Sequence, residues 1–192
     1  MAKHQLPNMD YSGSVTGFSG GIKMMGKPFV AILMGSDSDL PIMEASFEIL
    51  KKFEVPFEVK VLSAHRTPEA THSYVRDADT RGCSAFICAA GMAAHLAGAV
   101  AANTLRPVIG VPINSSLDGL DALLSTVQMP GGIPVATVAI GKAGAKNAAY
   151  LATQILGVSD PELHQKLLDE RADNARIILE KDTALQERLN NG

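Results

Sequence analysis

With 192 residues, 46% of them apolar, and a formal net charge of −3, the chain is one domain of ordinary size with ample material for a layered core. Seventeen Lys and Arg stand against twenty Asp and Glu with no block of like charge, which argues against a nucleic-acid-binding surface. There is no run of eighteen apolar residues and no basic-plus-apolar leader, so no membrane association is expected and the reading is a soluble cytoplasmic protein.

Residues 1–27 have no periodicity, are rich in Gly, Ser and Met, and read as a flexible N-terminal extension. Within them Gly21 to Lys27 spells GxxxxGK, nearly a phosphate-binding loop. Pro28 stands where Ser or Thr belongs, and the stretch precedes a strand instead of following one, so that reading is rejected. From Pro28 onward, short apolar runs occur at 29–34 (FVAILM), 57–62 (FEVKVL), 85–90 (AFICAA), 107–112 (PVIGVP) and 135–140 (VATVAI). Helical spacing fills the gaps at roughly 39–53, 68–81, 93–104, 117–127 and 143–156. Near-continuous apolar strands alternating with helices predict a single α/β domain over 28–158, a three-layer α/β/α sandwich around a five-stranded parallel, flavodoxin-like sheet. Cys83 and Cys88 fit neither a CxxC pair nor a zinc site and read as reduced core thiols. A last segment, 159–192, opens on Ser159-Asp160-Pro161-Glu162, a capping-box pattern, and carries an apolar stripe from Leu163 to Leu189. The five-stranded layer is complete without it, so this extra C-terminal helix is expected to pack on a neighbouring subunit.

In such sheets ligands bind beyond the carboxyl ends of the strands, and these ends carry the polar residues. After the first strand, Gly35-Ser36-Asp37-Ser38-Asp39-Leu40-Pro41 offers the hydroxyls of Ser36 and Ser38 beside free N–H groups at a helix start, an anion site best suited to phosphate. Asp39 could accept hydrogen bonds from sugar hydroxyls. The same residues also read as plain N-caps. After the second strand, Ser63-Ala64-His65-Arg66 precedes a helix opening at Thr67-Pro68. Arg66 supplies a planar charged fork for phosphate and His65 a group able to carry a proton near neutral pH. An ordinary surface turn remains the other reading. After the third, Ala89-Ala90-Gly91-Met92-Ala93-Ala94-His95-Leu96 lets backbone approach a ligand closely, with His95 as a second polar contact or as a loop-holding residue. Asn114-Ser115-Ser116 follow the fourth strand, a turn-rich lip spans 128–134, and Lys142 follows the fifth.

Three classes fall away. GSDSDL does not match the GxGxxG of dinucleotide enzymes, the third strand ends without the carboxylate of a phospho-acceptor domain, and the five histidines are too scattered for a metal hydrolase. What remains is a small-molecule enzyme using one histidine, serines and an arginine.

Four stretches, MGSDSDLP (34–41), SAHRTPE (63–69), AAGMAAHLAG (89–98) and GLDALLSTVQMPGGIPVATVAIGKAGAKNAA (119–149), closely resemble the class I N5-carboxyaminoimidazole ribonucleotide mutases of purine biosynthesis. The resemblance runs from about residue 29 to about 170; Ala97 departs from a common Pro in the HLPG loop. It implies a carboxyl migration from N5 of a carbamate to carbon 4 of the imidazole, without metal or organic cofactor, in a homo-octamer. By the resemblance, phosphate and ribose contacts fall on Ser36, Ser38, Asp39 and Arg66, and the catalytic histidine is His65. Ser63 and the loop with Gly91, Ala94, His95 and Leu96 would enclose the aminoimidazole and the migrating carboxylate. Direct carboxylation by CO2, or a nucleotide-binding regulatory domain without turnover, are the alternatives.

Overall fold

The computed structural model describes residues 27–190, so nearly all of the expected N-terminal extension lies outside the described residues. Each apolar run forms a strand: β1 Phe29–Met34, β2 Phe57–Val61, β3 Cys83–Gly91, β4 Val108–Ile113 and β5 Ala136–Thr137. All pair in parallel, in the order β2-β1-β3-β4-β5. Between and after them come α1 Leu40–Lys52, α2 Pro68–Arg81, α3 Leu96–Ala101, α4 Leu120–Val127, α5 Gly141–Gly157 and α6 Pro161–Asn190. A single 3-10 turn, Asp37–Asp39, precedes α1.

Alternation along each strand builds two cores. Val30, Ile32 and Met34 face α1 and α5, while Phe29, Ala31 and Leu33 face α2 and α3. The alanines at 145, 148, 149 and 152 form one small-residue stripe on α5 and are fully buried. Such a stripe lets α5 lie close to both sheet and α1, where branched side chains would hold them apart. Cys83 and Cys88 are both buried and free. Burial pushes the Cys83 thiol up to about 12 and the Cys88 thiol higher still, so both behave as small apolar residues.

The elements depart from expectation in four places. The last strand shrinks from six residues to two, paired only at Ile109–Ala136 and Gly110–Thr137. It is an edge strand preceded by Pro134, which has no N–H to donate, and the chain turns directly into α5 at Gly141 (φ +70°). Secondly, α3 starts at Leu96 and not near 93, because residues 92–95 are spent on a loop. Thirdly, α6 is capped by Asp160, whose Oδ1 accepts the Leu163 N–H at 3.0 Å, and not by Ser159, whose hydroxyl turns back to the Leu156 carbonyl. Fourthly, the first turns of α6 pack on their own chain. Leu163 joins the core, Lys166 pairs with Glu54 at 2.6 Å, and Glu170 takes both Lys52 (2.7 Å) and the Tyr150 hydroxyl (2.5 Å). From Arg171 onward every described residue of the helix is exposed, including Ile178 and Leu179.

Register matters most for the site. Met34 pairs with Val61 on one side and Ala89 on the other, and Gly91 pairs with Ile113, so four strands end along one edge.

Candidate active site

The loops leaving those four ends enclose a cavity of about 630 Å³. Gly35, Ser36, Ser38 and Asp39 line it from the first loop, Ser63 to Arg66 from the second, Ala90 to Ala93 with His95 and Leu96 from the third, and Ile113 to Ser115 from the fourth.

In the first loop Ser36 has extended backbone and caps the 3-10 turn. Its Oγ accepts the Ser38 N–H at 3.3 Å, and the Asp39 Oδ2 reaches back to the Ser36 N–H at 3.1 Å. The Ser38 hydroxyl closes on the Ser36 Oγ at 2.9 Å. Capping and lining are therefore done by the same residues. Asp39 is only 6% exposed, and burial holds its carboxyl above the ordinary value, partly offset by the Ser36 N–H and the Ser38 hydroxyl, with Asp37 adding to the rise.

The second loop is stapled by Thr67. Its Oγ1 accepts the Ser63 N–H at 2.9 Å and donates to the Ser63 carbonyl at 3.1 Å, while the Arg66 N–H donates to the Ser63 Oγ at 3.2 Å. Pro68 then opens α2, where the missing N–H costs nothing. The Arg66 guanidinium crosses to the first loop, donating to the Gly35 carbonyl at 3.2 Å, and Arg66 lines the cavity beside it. His65 points towards the third loop. Its Nε2 lies 2.8 Å from the Nδ1 of His95, with ring centroids 4.8 Å apart and planes at 71°.

The third loop makes a tight return. Met92 adopts φ +56°, the left-handed region, at a cost of about 1 kcal/mol for a residue with a Cβ. At Gly91 a Cβ would stand 3.3 Å from the Ile113 carbonyl oxygen, so β3 and β4 converge there more tightly than most side chains allow.

Nine of the ten residues expected from the sequence line the cavity: Ser36, Ser38, Asp39, Ser63, His65, Arg66, Gly91, His95 and Leu96. Ala94 does not. It is 2% exposed, and its N–H is spent on the Ser125 hydroxyl of α4 at 3.0 Å. Lys142 and the 128–134 lip also stay away from the lining; Met129 instead packs against Gly98 of α3. Thr67 and Ser125 are the two residues that sequence reasoning missed as loop-holders. Thr67 had a signal, a hydroxyl four residues after Ser63; Ser125 had none. Among the described residues no three His, Cys, Asp or Glu side chains gather as a metal site requires, and no helix is long and apolar enough to cross a membrane.

An open parallel sheet with a cavity past its carboxyl edge, holding a guanidinium, hydroxyls and a paired imidazole, belongs to the flavodoxin-like small-molecule binders. The chain is a member of the AIR carboxylase family, whose model matches residues 29–176. It is 54% identical over 162 residues to an N5-carboxyaminoimidazole ribonucleotide mutase of Pyrococcus horikoshii, covering 84% of this chain and 90% of that one. A mutase of the same name from Bacillus subtilis is 51% identical over 160 residues, covering 83% and 99%. Among solved structures, Treponema denticola PurE superposes with a TM-score of 0.76 at 33% identity, covering 83% of this chain and 99% of that one.

Proposed function

We infer that the protein is an N5-carboxyaminoimidazole ribonucleotide mutase, an isomerase of purine biosynthesis that moves a carboxyl group from the exocyclic nitrogen to carbon 4 of the imidazole. Supporting this is sequence identity of 50% or more to relatives of that name, extending through the segment in which His65, Arg66, Ser36 and Ser38 share one cavity. In this reading Arg66 and the two serines hold the phosphate by charge-assisted bonds, and Asp39 takes ribose hydroxyls. Gly91, His95, Leu96 and Ser63 surround the base.

His65 acts twice. As the imidazolium it gives its proton to N5 while the N–C bond of the carbamate breaks, leaving aminoimidazole ribonucleotide and CO2. The electron-rich carbon 4 then attacks CO2, and the now neutral imidazole removes the proton from that carbon, restoring both the aromatic ring and its own charge. Between the steps CO2 must stay near and dry, which loops of Ala and Gly favour by closing tightly on it. No net proton is consumed and no further co-reactant is needed.

The protein acts in this reading as a cytoplasmic homo-octamer, with 28–158 as the catalytic unit and the exposed part of α6 taking part in assembly. The decisive experiment starts from ribonucleotide labelled in the N5-carboxylate, with unlabelled bicarbonate in the buffer. Retention of most label in the product carboxylate supports the mutase. Consumption of aminoimidazole ribonucleotide and free CO2, with the N5-carboxylated compound ignored, would instead make it a direct carboxylase. Binding of both without conversion would make it a regulatory domain.

A further inference from the structure

We propose that Ser125 of α4 is a positioning residue for the proton carrier, acting through the 92–95 loop and His95. The proposal rests on the assignment of His65 above, but the contacts that carry it belong to the free protein.

His65 sits in an exposed turn, and its hydrogen bond between side chains is with His95. The orientation of the imidazole, and which of its nitrogens carries the proton, are therefore tied to where His95 stands. His95 in turn ends a loop of four residues that leaves β3 at Gly91 and enters α3 at Leu96. That loop is not at rest by itself, since Met92 is held in the left-handed region at φ +56° while its side chain is exposed and unable to hold it there.

Two backbone bonds brace the loop locally, the His95 N–H to the Ala93 carbonyl at 2.8 Å and the Ala99 N–H to the His95 carbonyl at 2.9 Å, and one side-chain hydroxyl ties it to α4. Ser125 Oγ accepts the N–H of Ala94, the residue adjacent to His95, at 3.0 Å, and lies 3.3 Å from the carbonyl of Met92. Ala94 is buried, so that N–H has no water to turn to if the acceptor is removed. The hydroxyl proton is shared among the Met92 carbonyl and the helix carbonyls of Asp121 (2.9 Å) and Ala122 (3.2 Å), but the acceptor role towards Ala94 is unambiguous. Ser125 can impose its position because α4 is itself fixed. Ala122 and Thr126 on the same helix are buried, and Thr126 packs directly over Gly110 of β4. The order of support thus runs from β4 to α4, to Ser125, to Ala94, to His95 and finally to His65. None of this requires Ser125 to touch the ligand, and it does not line the cavity.

Proton transfer needs heavy atoms within about 2.6–3.2 Å, and a displacement of 1 Å can cost about 10²-fold. Ser125→Ala should lower kcat by about 10- to 100-fold on that basis. KM for the ribonucleotide should change much less than kcat, because the phosphate contacts sit on the first and second loops and only the base contacts of the third loop depend on this hydroxyl. Ser125→Thr, which keeps the acceptor oxygen, should restore most of kcat. In the free protein, long-range 15N–1H correlation spectra should assign a single tautomer to each of the two rings, with tautomer averaging in Ser125→Ala and a return to the wild-type pattern in Ser125→Thr. A wild-type spectrum and wild-type kcat in folded Ser125→Ala would overturn the proposal. So would equal losses in both variants, or kcat and KM worsening in step with thermal stability, each of which marks a merely structural serine. If the chain does not turn over the N5-carboxylated ribonucleotide at all, the spectra of the free protein still decide the positioning role.

Discussion

Gly110, in the middle of β4, is a severe test of how tightly α4 is seated. A Cβ added there would lie 2.4 Å from Cγ2 of Thr126, 3.1 Å from Cγ1 of Val135 and 3.4 Å from Cβ of Ala97. The first of these is about 1 Å short of an ordinary carbon–carbon contact. Thr126 cannot simply rotate its methyl away, because its Oγ1 donates to the Ala122 carbonyl at 2.7 Å in a fully buried position. Helix and strand must separate instead. Overpacking of this kind costs about 1–3 kcal/mol. Relief of glycine's backbone entropy in a strand returns about 0.5–1 kcal/mol. With a contact as short as 2.4 Å the cost falls at the upper end of that range, about 2–3 kcal/mol, so Gly110→Ala should destabilise the protein by about 1–2.5 kcal/mol, which for a chain of this size lowers Tm by about 2–10 °C. Urea denaturation at constant m-value and a thermal scan read this directly. A Tm equal to or above wild type would refute the reasoning, since it would mean that α4 is loose enough to absorb a methyl group. It would also weaken the case that Ser125, one residue from Thr126, is rigid enough to position anything.

Three further outcomes are expected. His65→Asn should fold and bind ribonucleotide nearly as wild type does while losing at least about 10²–10⁴-fold in turnover; near-wild-type turnover in the folded variant would remove His65 from the chemistry. Arg66→Ala should weaken ribonucleotide binding far more than binding of the matching nucleoside, measured by calorimetry, and equal weakening of both would place the phosphate elsewhere. Truncation after Arg171 leaves Leu163, Lys166 and Glu170 in their contacts and removes only the exposed part of α6. It should lower the assembly state seen by sedimentation, and an unchanged state would show that the distal helix takes no part in assembly.

The sheet was legible because its strands are short apolar runs separated by turn chemistry, and the parallel arrangement follows once both faces must be covered. That nine of the ten expected residues line one cavity has a related reason. The polar residues that follow apolar runs, SDSD and SAHR, stand out where a buried strand surfaces, and in this topology such points converge. The misses share a different cause. The late start of α3 and the left-handed Met92 go with a loop whose Ala94 N–H is bonded to Ser125, thirty-one residues away, and no local pattern announces a hydrogen bond at that separation. The docking of α6 has the same origin. Its first turns find partners in Lys52 and Glu54, at the end of α1, and in Tyr150 of α5, which become one surface only when α1 and α5 pack together. A stripe of leucines shows that a helix needs a partner, but not which one.

Asp39 carries the last expectation, because its state in the free protein constrains what it can do for a ligand. Its carboxyl sits above the ordinary value chiefly because burial removes water from the charged form, and the Ser36 N–H and Ser38 hydroxyl only partly compensate. A ribose hydroxyl donating to this carboxylate would supply the missing solvation and favour the charged form. Ligand binding and deprotonation of Asp39 should then help each other. The sign follows from that coupling: the ribose-dependent part of the affinity is fully present above the free protein's Asp39 value and is lost as pH falls through it. The phosphate group titrates as well, so the comparison must be with Asp39→Asn, which keeps an oxygen for the Ser36 N–H but has no proton to lose. Dissociation constants for the ribonucleotide between pH 7 and pH 4 should rise more steeply in wild type than in Asp39→Asn as the pH falls. Parallel profiles would mean that the carboxylate serves only to cap the turn, and the sugar would have to find its acceptor among other groups of the cavity.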